Sequence, residues 1–170
     1  MIVNSEFYRS NKLTLLVAVS LLLAITLGCN FSAGVGDFAK PEMPSTEQQN
    51  ALVKQTLKEF AKGIESGDFS SLMSNASKEL QSQASPDKIK GAFQGMIDKK
   101  AVLVPIMQSA DSKIPDFTTP PSIKEEGSNY TMQYTGSFPT DTFPTYFDFK
   151  YIWQDSQWKL LSIEVKYDSK

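Results

Sequence analysis

The stretch Phe147–Val165, FDFKYIWQDSQWKLLSIEV, decides the fold class of this chain. Phe147, Phe149, Tyr151 and Trp153 alternate with Asp148, Lys150 and Gln154-side polar positions, and period two is the mark of a strand with one buried face. Leu161, Ile163, Val165 and Tyr167 repeat the pattern further on, so Tyr146–Gln154 and Trp158–Tyr167 are expected strands. Asp155-Ser156-Gln157 between them is a turn signal, which makes the pair a hairpin. Upstream, Ser122–Glu126 and Tyr130–Phe138 flank Gly127-Ser128-Asn129, a second turn, with Tyr130, Met132 and Tyr134 on one face. The last third is therefore antiparallel sheet, with polar residues on the face opposite the aromatics.

Ahead of the sheet the period changes. Ser45-Thr46-Glu47-Gln48 has the form of a capping box. Leu52, Val53, Thr56, Leu57, Phe60, Ala61 and Ile64 then recur at spacings of three and four, one broad helical face. Lys54, Lys58, Glu59, Lys62 and Glu65 fall on the remaining faces, and Gly67 is the expected terminator. A second helix is expected from Phe69 to about Leu80. A third opens at Ser85-Pro86-Asp87 and carries Ile89, Ala92, Phe93, Met96 and Ile97. Ala101–Met107, AVLVPIM, is rich in β-branched residues and is expected as a short strand, with Pro105 at an edge or bulge. Gln108–Pro121 holds three prolines and is expected as loop, with a short strand around Ile114–Phe117. Three helices followed by an antiparallel sheet make an α+β domain with the helices on one side of the sheet.

The N-terminal segment has another character. Leu13–Gly28, 16 residues, is apolar and follows Arg9 and Lys12. A span of the hydrocarbon core takes about 20 residues, so the run suits a cleaved secretory signal. It ends at Cys29, the single cysteine. Thr26-Leu27-Gly28-Cys29 resembles the lipobox of bacterial lipoproteins in its small Gly28, its cysteine and the Leu/Ala/Val run before them. It departs from that pattern at Thr26 and Leu27. The resemblance implies residues 1–28 as signal peptide, Cys29 as the acylated, palmitate-bearing N-terminus, and a domain on the outer side of the membrane in the cell envelope. Asn30–Pro44 mixes Gly, Ser, Ala and Pro without period, so 29–44 is an expected tether and 45–170 the domain.

Composition excludes several functions. The chain has 17 basic and 19 acidic residues and no histidine. Without histidine there is no Ser-His-Asp or Cys-His catalysis and no His-ligated zinc. A single cysteine allows no internal disulfide or cysteine cluster. No basic stripe favours nucleic acid, and no motif calls for a cofactor. An acyl anchor on Cys29 would need two or more chains for stable membrane attachment.

ALVKQTLKEFAKGIESGDFSSLMS, a long helix broken at Gly67-Asp68 into a second, followed by the aromatic and QWKLLSI strands, resembles the nuclear transport factor 2-like superfamily. This α+β family is cone-shaped, with three N-terminal helices on a strongly curved antiparallel sheet, and the resemblance covers about Ser45 to Tyr167. Isomerase-type members pair a cavity Asp with tyrosine, which makes Tyr130, Tyr134 and Asp148 the candidate pocket residues. Asp148 alternates away from the aromatic face, which favours a surface position. The expected function is a membrane-tethered, non-enzymatic module binding a small apolar ligand or envelope partner. An isomerase- or hydrolyase-like enzyme using carboxylate and tyrosine is the alternative, and a homodimer through the sheet is a further use of such a fold.

Overall fold

The computed structural model describes residues 40–140 and 144–167. The expected signal segment, Cys29 and the tether up to residue 39 lie outside the described residues. Helix α1, Thr46–Ser66, begins at the capping box as its sequence requires. The Gln48 amide donates to Ser45 Oγ at 3.3 Å, and the Ser45 amide donates to Gln48 Oε1 at 2.8 Å. Gly67 closes the helix in the left-handed region at φ 74°, where a side chain would be strained. Before the cap, Pro41 is buried, and Gln49 Nε2 donates to the Pro44 carbonyl at 2.7 Å, so the chain is held ahead of its first helix.

The expected second helix is two. Helix α2 is Ser70–Ser74 and α3 is Lys78–Gln83, with Asn75-Ala76-Ser77 between them. Ala76 bridges Leu160, and the Ser77 amide donates to the Leu160 carbonyl at 2.8 Å. Ser77 then caps α3 through its hydroxyl. Backbone bonds to a strand edge and a serine cap here outcompete helix continuation, and they also cover an otherwise open sheet edge. The third expected helix is likewise divided, into α4, Pro86–Ala92, and α5, Gln94–Ile97, parting at Phe93.

Ala101–Met107 is not a strand. It lies inside α6, Lys100–Ser109, with Pro105 on its exposed side, followed by a 3-10 turn at Ala110–Ser112. Leu103, Val104, Met107 and Ala110 are buried at helical spacing. Packing against α1 overrides the β propensity of the run. The two helices are antiparallel: Lys54 Nζ donates to the Asp111 carbonyl at 3.0 Å, and Lys100 Nζ to the Glu65 carbonyl at 2.9 Å. The second contact places a cation on the negative end of α1.

Five antiparallel strands form one curved sheet: β1, Asp116–Phe117; β2, Ile123–Glu126; β3, Asn129–Phe138; β4, Thr145–Gln154; and β5, Gln157–Tyr167. Both β1 and β2 pair with β3, on the side away from β4. From Phe117 to Ile123 this edge carries six steps against four on β3, and Pro120-Pro121 occupy the slack, where no amide is needed for pairing. Beside β1, Gly136 leaves room that a Cβ would take from the Asp116 carbonyl and the Phe147 ring. The β4–β5 turn is Asp155-Ser156, at φ 51° and 58°, so Gln157 belongs to β5. Positive φ at both central residues matches the twist of a two-residue hairpin.

One bulge changes the expected face of β5. Lys150 pairs with Ser162 and Tyr151 with Leu160, which leaves Leu161 as the extra residue. Leu160 therefore enters the core while Leu161 is half-buried, contrary to the simple alternation, and Ile163, Val165 and Tyr167 keep the expected side. Such a bulge bends the strand and increases its twist. The core is the layer between this face of the sheet and α1 with α6. Phe60 is fully buried, whereas Phe93, Trp153 and Trp158 are half-buried at its margins.

Candidate functional site

The three tyrosine and aspartate candidates do not converge. Tyr134 is 0% exposed in the core, and its hydroxyl donates to Met132 Sδ at 3.0 Å. Tyr130 is half-buried near the start of β3, in a surface hollow with Lys78, Trp153 and Gln154. Asp148 lies on the opposite face of the sheet from Tyr134. It accepts Gln133 Nε2 at 2.8 and 2.9 Å and Thr135 Oγ1 at 3.2 Å, a network that accounts for it structurally. Lys150 and Glu126 pair on the same face at 2.8 Å.

A different set of groups does converge. Where α1 passes the β4–β5 hairpin, a half-open cavity of about 310 Å³ is lined by Leu52, Gln55, Thr56 and Glu59 of α1. Leu72 of α2, Asn75, the residue that ends it, and Tyr151, Gln157, Trp158, Lys159 and Leu160 of the sheet complete it. The break after α2 brings Asn75 here, and the bulge in β5 brings Leu160.

Glu59 is the chemically notable residue. It is only 8% exposed, and Gln55 Nε2 and Asn75 Nδ2 donate to its Oε1 at 2.6 and 3.0 Å. Its Oε2 accepts no hydrogen bond among the described residues. Sequence periodicity put Glu59 on a solvated face. The available signal was its position seven after Leu52 and three after Thr56, which is the edge of the apolar stripe.

Thr56 and Tyr151 form the inner wall. Their hydroxyls are 2.7 Å apart and buried. Thr56 Oγ1 also donates to the Leu52 carbonyl at 3.1 Å, so the Tyr151 hydroxyl is the donor in the pair. Burial pushes the Tyr151 phenol above its ordinary pKa; Thr56 pulls it down, while Tyr134 and Glu59 push it further up. Burial raises Tyr134 in the same way. Both hold their protons through the neutral range and cannot act as bases there. At the mouth, Trp158 meets Trp153 edge-on, with ring centres 5.2 Å apart.

Two other hollows are less equipped. One of about 140 Å³ lies between α1 and α6, over Leu57, Ala61, Met107, Ala110 and Phe138. A broad groove of about 920 Å³ runs along α4–α6 and the end of β5, with Phe93, Met96, Val102 and Tyr167 among its walls. Neither has a buried carboxylate in its lining. Among the described residues no group of three or more His, Cys, Asp or Glu could hold a metal ion. No described helix is long and apolar enough to cross a membrane. No protein-family model matches the chain, and neither a curated protein nor a solved structure matches it.

Proposed function

We propose that this chain is a lipid-anchored lipoprotein of the bacterial cell envelope, whose nuclear transport factor 2-like domain is a non-enzymatic binding module for a small ligand. The anchor rests on the apolar Leu13–Gly28 run ending at Cys29. The family assignment is supported by the order of elements: a long capped helix, shorter helices, then a curved antiparallel sheet that packs on the long helix. The single observation that carries the binding function is the cavity between α1 and the β4–β5 hairpin. Its apolar walls are Leu52, Leu72, Leu160 and Trp158, and polar side chains, with Gln55, Thr56, Glu59 and Asn75 among them, line the rest; apolar walls with polar groups that fix orientation are what a small-molecule site uses.

Mass spectrometry of the full chain extracted from membranes tests both parts. A diacylglycerol and acyl mass on an N-terminal Cys29, lost together with membrane retention in Cys29→Ala, is the expected result; intact Leu13–Gly28 in the mature chain overturns the anchor. A small molecule carried into the gas phase by the wild type and lost in Leu160→Trp, with melting temperature unchanged, is expected for the cavity. Equal retention of that molecule by the variant overturns the placement of the site.

An isomerase- or hydrolyase-like enzyme is the second reading, favoured by the presence of a buried carboxylate, Glu59, in the same cavity as Tyr151. Loss of cellular function in Glu59→Gln, with ligand retention and melting temperature unchanged, would put the enzyme ahead.

A further inference from the structure

We infer that the cavity selects ligands that present a protonated amine on a short apolar body, and that Glu59 is the selecting group. The inference rests on the cavity being a ligand site and adds the chemistry of what it takes. Glu59 is buried, and no lysine of the described chain pairs with it. Its two partners, Gln55 and Asn75, are neutral amides that both donate to Oε1. Two donors on one oxygen mark that oxygen as an acceptor and hold the carboxyl in a fixed orientation.

Oε1 is taken up by these amides, while Oε2 opens into the half-open cavity, and a carboxylate oxygen makes its strongest hydrogen bonds to charged donors such as an ammonium. Oε2 is the position left for a ligand cation, since no described residue donates to it. Lys159 touches the cavity, yet its cross-strand neighbour is Ile152, on the sheet face away from Tyr151. Its side chain leaves the strand on the face opposite Tyr151, and no ion pair joins it to Glu59. Leu52, Leu72 and Leu160 give the remainder of the ligand an apolar wall. Trp158 at the mouth offers an indole face, which attracts cations and accepts flat apolar groups equally well. An anionic ligand would meet Glu59 with like charge, and a neutral alcohol would fill Oε2 without neutralising it.

The full chain in non-ionic micelles is titrated at pH 7 and low salt with three probes of one shape: benzylammonium, benzyl alcohol and benzoate. The Trp158 indole N–H resonance, assigned by comparison with Trp153→Phe, reports binding. Benzylammonium is expected to bind at least tenfold tighter than benzyl alcohol, and benzoate weakest. Glu59→Gln keeps an acceptor for Gln55 and Asn75, and is expected to erase the tenfold gap between benzylammonium and benzyl alcohol. If benzyl alcohol binds and benzylammonium binds no tighter, the cationic selectivity fails and the cavity stands. A gap that persists in Glu59→Gln removes Glu59 from the role. If none of the three moves Trp158, the cavity itself fails as a ligand site, and the selectivity with it. The wild-type comparison decides the matter even if the variant does not fold.

Discussion

The layer between α1 and the sheet has two ends of opposite chemistry, although β4 supplies both. At one end Phe117, Tyr134, Phe138, Phe147 and Phe149 pack ring on ring, with centres 5.2 to 6.2 Å apart. At the other end Tyr151 meets Thr56, and Glu59 is held by Gln55 and Asn75 beside an open cavity. Tyr134 and Tyr151, 5.7 Å apart and edge to face, are the seam. The difference lies in what faces the strand. Opposite Phe147 the core is closed by aromatics from β1 and β3, and so is stabilised by area removed from water. Opposite Tyr151, α1 presents Thr56 and Glu59, whose polar atoms require partners and leave room beside them. A domain of this size can place its stability at the closed end and keep recognition groups at the other.

Breaking the closed end should have the largest effect. Phe149 is 0% exposed, and Phe149→Ala is expected to cost about 3–5 kcal/mol. Denaturant unfolding measures it, and a loss under about 1 kcal/mol would show that the aromatic end does not carry the fold.

The seam should be visible in alkali. Tyr134, Tyr151 and Tyr167 all have pKa values raised by burial. The folded state keeps their protons where the unfolded chain, with a phenol pKa of about 10, loses them. Stability is thus unaffected below about pH 10 and falls above it, by about 1.4 kcal/mol per tyrosine per pH unit. Unfolding measured from pH 8 to 11.5 should give a shallower alkaline slope in Tyr134→Phe/Tyr151→Phe. An identical slope would place these hydroxyls in water.

At the polar end, Thr56→Val keeps the shape and strands the Tyr151 hydroxyl. An unsatisfied buried donor costs about 1–3 kcal/mol. Adding Tyr151→Phe removes the stranded group, so the double variant should recover part of the loss. Additive losses in that cycle would mean that the 2.7 Å contact contributes nothing.

The smallest effect is expected outside the layer. Asp148→Asn on the wet face leaves one oxygen, which at the Oδ2 position accepts from both Gln133 and Thr135, and a surface change of this kind stays within about 0.5 kcal/mol. Ligand retention should be unchanged. A loss of binding there would move the site to the other face of the sheet.

Much of the frame was legible along the chain because its signals are local. The Ser45–Gln48 box, the Leu52–Ile64 stripe, the left-handed Gly67 and the period-two runs of β3 and β4 each concern residues within a few positions of one another. The site was less legible. Tyr130, Tyr134 and Asp148 have the right functional groups, but one is in a surface hollow, one in the core and one on the outer face. Glu59 and Asn75 carry no such signal, because a glutamate on a helix and an asparagine after one are ordinary solvent-facing residues in most chains.

By itself, then, the sequence determined the α+β class, the capped first helix, the aromatic face of β4 and the two hairpin turns. The tertiary structure decided four things: that Ala101–Met107 is helical, that α2 stops at Asn75, that Leu160 rather than Leu161 is buried, and that Glu59 is enclosed. Each of these depends on a partner in another element: α1 for α6, the β5 edge for Ser77, Tyr151 of β4 for Leu160, and Asn75 for Glu59. Periodicity reports which residues share a face, but not what that face will meet. The energy of a helix, a bulge or a buried carboxylate is settled by the partner it meets.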